Sequence, residues 1–92
     1  MSTLDDNAVA SALGGLAWER EGDELVKTVK LKDFAQAMKF VNAVAEAAEA
    51  ANHHPDILLH GWNKVRLTLS THSQGGLTDA DFRLAGQIGS GA

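Results

Sequence analysis

The sequence has no cysteine, which removes disulfide scaffolds and thiolate chemistry at the outset. It has a single proline and no tyrosine; three Phe and two Trp are its only aromatics, so its core must be built from aliphatic side chains and alanine. Basic residues are outnumbered, 8 Lys+Arg against 12 Asp+Glu, for a formal charge of −4. No basic run stands out, so direct nucleic-acid binding is not expected. No apolar stretch approaches the ~20 residues that span a bilayer. The first residues also lack the basic-then-apolar pattern of a secretory signal. These absences point to a soluble protein of the cytoplasm.

What is present suits one small domain over residues 1–92, with an ordinary hydrophobic share of 45 %. A domain of this size buries only roughly two-thirds of its unfolded surface, so contacts with further copies would help it. A first helix is expected over Ser2–Leu13, stopped by Gly14-Gly15. Leu16–Glu19, anchored by Trp18, and Leu25–Leu31 read as a hairpin across Glu21-Gly22-Asp23. In the second of these strands Leu25, Val29 and Leu31 share a face that Lys27 interrupts. The clearest helix spans Asp33–Asn52, with Asp33 as N-cap and Gln36 three residues on. Phe34, Met38, Val41, Ala45 and Ala48 recur there at helical spacing, widened by Ala37, Val44 and Ala51. Ile57–Trp62 and Lys64–His72 read as two further strands. In the second of them Val65, Leu67, Leu69 and Thr71 alternate with Arg66, Thr68, Ser70 and His72. A last helix should start at Thr78 as N-cap, with Asp81 in its first turn and Leu77 and Phe82 as a hydrophobic staple. Gly89-Ser90-Gly91 should end it in a frayed tail. The expected fold is α+β: a four-stranded antiparallel sheet with helices on one face, a two-layer sandwich.

The chemistry-bearing stretch is Asn52-His53-His54-Pro55, where long helical periodicity ends and strand-like sequence begins. Pro55 biases His54 toward an extended backbone, so the two imidazoles should diverge. Histidine exchanges protons near pH 7 without environmental tuning. With His72 and Asp81, the pair could run linked acid and base steps. An acid at the position of Asp81 is also a helix-start device and can serve both ends. His60 reads as a surface residue. Adjacent, diverging histidines are poor metal co-ligands, and there is no His-x-x-x-His pair. No G-x-S-x-G and no phosphate-binding glycine loop occurs. The residues alone indicate a metal-free acid/base site without naming its substrate.

The spacing of Glu49, His53-His54-Pro55, Trp62, His72 and Asp81 resembles the pattern of the pterin-4a-carbinolamine dehydratase family. Lys32-Asp33-Phe34, Asn63-Lys64-Val65 and Leu67–His72 are similar to that family's helix entry and fourth strand. The resemblance covers roughly Trp18 to Ile88. It implies the same antiparallel α+β fold. It also implies dehydration of a 4a-hydroxytetrahydropterin to quinonoid dihydropterin, in tetrahydropterin recycling, with no cofactor. By the resemblance His53 and His72 are acid/base residues and His54 positions the pterin, while Asp81, Glu49 and Trp62 support or bind. The partners implied are the small-molecule pterin and further copies of the chain, as a homodimer or homotetramer. The alternative in the same family is a non-enzymatic binding module, a transcription dimerisation cofactor or a Rubisco-type assembly factor. Such a module is expected to lose members of the histidine set, which this chain keeps.

Overall fold

The computed structural model describes residues 3–89, and of His72 the backbone alone. The chain runs through α1 (Asp6–Leu13), β1 (Glu19–Glu21), β2 (Glu24–Lys30), α2 (Phe34–Ala51), β3 (Asp56–His60) and β4 (Lys64–Leu69). A 3₁₀ turn, His72–Gln74, precedes α3 (Asp79–Gly89). The expected frayed tail at Ser90-Gly91 lies outside the described residues, whereas the first helix starts later than expected, at Asp6, because Asp5 is extended and caps it by accepting from Ala8 N–H.

The strands form one antiparallel sheet in the order β1-β2-β4-β3, with the helices on one face. Antiparallel neighbours joined by short turns explain the two hairpins, and α2 carries the chain between them. Gly22-Asp23 closes the first hairpin, so Glu21 faces Glu24 and β1 occupies only Glu19–Glu21. The first strand therefore starts later than Leu16. Trp18 is buried ahead of it rather than within it. The second hairpin turns at Gly61 and Trp62, both in the left-handed region (φ 56° and 61°). Two successive positive φ values match the twist of the flanking strands. Glycine meets that need at Gly61, while Trp62 carries it at a steric cost.

The interior face of the sheet is set by alternation. Leu25 and Val29 of β2 and Val65, Leu67 and Leu69 of β4 are buried. Lys27 falls on that face too, as the sequence indicates; its Nζ donates to Ala17 O at 3.2 Å. Burying Leu67 contributes about 2 kcal/mol relative to leaving it in water.

α2 covers this face with Ala37, Phe40, Val44 and Ala48, residues at i, i+3, i+7 and i+11. This is a correction: Phe34 (53 % exposed) and Met38 (39 % exposed) sit outside the packed stripe, as does Ala45, and Phe40 is inside it. Its N-cap is as expected, Asp33 Oδ1 accepting from Gln36 N–H at 2.8 Å. α3 adds Leu84, Ala85 and Ile88 to the same core.

β4 ends at Leu69, short of the expected His72. Its partners run out there, since Leu69 faces the second residue of β2 and Thr68 the first residue of β3. Thr71 instead bridges Gly76, and residues 72–74 turn between them. His72 is thus a turn residue, not the end of a polar strand row.

Candidate active site

The site is assembled where α2 stops. Asn52 adopts the left-handed conformation (φ 51°, ψ 43°), and His53 N–H returns to Ala48 O at 3.1 Å. That bond, reaching five residues back, is the signature of a Schellman-type helix end. It fixes the backbone of His53 against the last turn of α2. The imidazole then crosses to α3, where Nε2 lies 2.5 Å from Asp81 Oδ1. The neighbouring ring turns elsewhere: His54 Nε2 meets Glu49 Oε1 at 2.7 Å, one turn back on α2, with both side chains mostly in solvent. The divergence expected of an X-Pro dipeptide brings the two histidines to different carboxylates.

Asp81 has no solvent exposure. A buried carboxylate is tolerated only when its oxygens are occupied. Here Oδ2 accepts from Thr78 N–H at 3.0 Å and from Thr71 Oγ1 at 2.7 Å, while Oδ1 faces His53. The bond from Thr78 N–H is the return arm of a capping box, so Asp81 does serve the helix start. The same side chain spends its other oxygen on the imidazole, which is partly buried with 15 % of its side chain exposed. Thr71 and Thr78 also touch through their hydroxyl oxygens at 2.8 Å. Alternation placed Thr71 in the row of Val65, Leu67 and Leu69 but did not mark it as a partner of Asp81, because a hydroxyl in such a row carries no signal of what it bonds.

Beside His53 lies a cavity of about 350 Å³ between α2 and α3. Ala50, Ala51, Ala80 and Leu84 give it a shallow apolar floor, and His53 and Arg83 supply polar groups. Small side chains there leave room for a flat heterocycle, and mixed apolar and polar lining is usual for small-molecule sites. Arg83 makes no hydrogen bond or ion pair among the described residues. It went unread in the sequence.

The structure pairs His53 with Asp81 and His54 with Glu49, and of these four His53 lines the cavity. The backbone of His72 directly follows Thr71, so it lies beside the same cluster; its side chain is outside the described residues. Trp62 stands apart: it follows the far end of β3 from Pro55, a strand length of about 16 Å away at ~3.3 Å per residue, and is 62 % exposed. His60 sits on the outer side of β3 opposite Lys64. Among the described residues no three His, Asp or Glu side chains gather as a metal-ligand set.

A sequence profile described as Pterin 4 alpha carbinolamine dehydratase matches residues 2–90. The chain belongs to the pterin-4-alpha-carbinolamine dehydratase family. A relative from Thermomicrobium roseum is 51 % identical over 89 residues, covering 96 % of this chain and 95 % of that protein. Another from Nocardia farcinica is 52 % identical over 86 residues, covering 92 % and 90 %. Both bear the provisional name of the dehydratase. Among solved structures, the transcriptional coactivator/pterin dehydratase from Brucella melitensis superposes with a TM-score of 0.90 at 30 % identity, covering 97 % of each chain. A pterin dehydratase-like protein described as a RuBisCO assembly factor shares the fold at a TM-score of 0.64 and 22 % identity, covering 86 % of this chain and 90 % of that one. The dehydratase family thus accounts for the fold seen here.

Proposed function

We propose that this protein is an enzyme that converts a 4a-hydroxytetrahydropterin to the quinonoid dihydropterin and water, so that the tetrahydropterin can be regenerated. The observation that carries the reading is the imidazole of His53, held by a fully buried carboxylate at the edge of a cavity, in a chain of the dehydratase family. The reaction breaks the C4a–O bond. One proton must reach the departing hydroxyl to make water, and the proton on N5 must leave as the C4a=N5 bond forms. The lone pair of N5 drives the departure, so an acid and a base suffice, and histidine serves both roles near neutral pH. His53 and His72 are assigned to these two transfers. His54, oriented by Glu49, is assigned to binding the pterin.

The test is turnover of chemically generated carbinolamine, followed by the absorbance of the quinonoid product. The expected result is a rate proportional to protein concentration above the spontaneous dehydration. A rate equal to the spontaneous one at micromolar protein would remove the enzymatic reading and leave a binding module, the class to which the assembly-factor neighbour is assigned.

The working form proposed is a homo-oligomer in the cytoplasm. No helix among the described residues is long and apolar enough to cross a membrane. β3 is an edge strand with Ile57 and Leu58 exposed. Unpaired strand edges of this kind invite pairing with a second chain. An antiparallel pair centred on Leu58 would set Asp56 opposite the partner's His60 at both ends.

A further inference from the structure

The hydrogen bonds around Asp81 can be followed donor by donor. Thr78 N–H has only one proton and gives it to Oδ2. Thr71 Oγ1 also has one proton and gives it to Oδ2. Its contact with Thr78 Oγ1 must then be one it accepts. Two donors therefore occupy Oδ2, and among the described residues Oδ1 is left with the imidazole as its one partner. A carboxylate in such a setting acts as an acceptor throughout, and the imidazole supplies the remaining proton from Nε2. Which ring nitrogen of a histidine is free follows from the hydrogen bond that the other one makes.

We infer that Thr71 is a positioning residue: its hydroxyl holds the Asp81 carboxylate so that the proton of neutral His53 stays on Nε2 and Nδ1 is the nitrogen that exchanges a proton with the substrate. The part that concerns the substrate rests on the dehydratase reading; the placement of the proton does not. Thr78 completes the relay, since its hydroxyl donates to Thr71 and its backbone N–H to Asp81. Thr71 is itself held independently of the site. Its N–H donates to Gly76 O at 3.1 Å, and its carbonyl accepts from Gln74 N–H at 2.9 Å. The short loop that replaces the end of β4 is what places this hydroxyl against α3.

The experiment compares the unaltered protein with Thr71→Val and Thr71→Ser, the first lacking the hydroxyl and the second keeping it. Long-range proton–nitrogen spectra of the histidine rings report which nitrogen of neutral His53 carries the proton. The unaltered protein and Thr71→Ser should show Nε2–H; Thr71→Val should show a mixture. Turnover by Thr71→Val should lose roughly 3- to 10-fold in kcat, the equivalent of one hydrogen bond, with KM within about twofold. Thr71→Ser should recover most of it. A proton on Nδ1 in the unaltered protein overturns the inference without any variant, so a Thr71→Val chain that fails to fold does not protect it. A folded Thr71→Val with the original ring pattern and kcat overturns it equally. If the unaltered protein has no turnover, the dehydratase reading falls, and the ring spectra still decide the role of Thr71.

Discussion

Replacing Asp81 by asparagine keeps the shape of the side chain and changes what it can accept. Among the described residues three donors converge on the carboxylate: His53 Nε2, Thr71 Oγ1 and Thr78 N. An amide has one oxygen for them. If that oxygen turns toward Thr71 and Thr78, the amide NH₂ faces His53, which must then move its proton to Nδ1 to accept. If it turns toward His53, the NH₂ meets Thr78 N–H and leaves a buried backbone donor unsatisfied, at about 1–3 kcal/mol. Either orientation also loses charge-assisted hydrogen bonds, which are roughly twice as strong as neutral ones. The expected cost in stability is about 2–3 kcal/mol, within the range for a buried network. For a domain of this length that lowers Tm by about 10–20 °C. With His53 in the wrong tautomer, kcat should fall at least ~10²-fold, the lower range for losing a general acid or base. A melting curve and carbinolamine turnover on one preparation measure both. A variant within about 0.5 kcal/mol of the parent, the scatter of harmless surface changes, and with kcat within twofold would refute the network reasoning.

Three further outcomes are expected. His53→Ala and His72→Ala should mainly lower kcat and His54→Ala mainly raise KM, while His60→Ala, on the outer side of β3, should change neither; equal activity in folded His72→Ala and His60→Ala would displace His72 from the site. Leu58→Lys should convert the proposed oligomer to a 9.7 kDa species in light scattering, because lysine on an exposed edge opposes strand pairing; an unchanged mass would put the contact elsewhere. Asn63→Ala should cost about 1–3 kcal/mol in a denaturant titration, since Asn63 is buried and its Nδ2 donates to Leu31 O at 3.1 Å; an unaltered midpoint would mean that water replaces it.

Where the sequence was readable, local chemistry and tertiary demand agreed. Thr78 and Asp81 carry a helix start whose capping bond is present, and Val65, Leu67 and Leu69 alternate into the core. Misreadings arose where packing chose among local options. Phe34 and Met38 are the large apolar residues of α2's first turns, yet close approach to the sheet selects the face with Ala37 and Ala48. Alternation continued through His72, but a strand needs partners, and those of β4 stop at Leu69. At the site, the family resemblance pointed to Glu49, His53, His54, Trp62, His72 and Asp81; the fold pairs His53 with Asp81 and His54 with Glu49 and leaves Trp62 apart. Alternation put Thr71 in the row of Val65, Leu67 and Leu69, but the contact of its hydroxyl with Asp81 depends on the bridge from Thr71 to Gly76, which no alternation signals.

Because Asp81 belongs to α3 and His53 to the end of α2, the pair exists only while α3 is docked. Competence is then a property of one helix's opening equilibrium rather than of the global fold. Detachment of α3 would release Asp81 to water and free the imidazole while the four strands kept their ladder. Amide exchange in α3 should report this opening separately from exchange in β2 and β4, as sub-global openings do. A ligand seated between α2 and α3 would slow the first and leave the second unchanged, so occupancy could be followed by hydrogen exchange without any turnover.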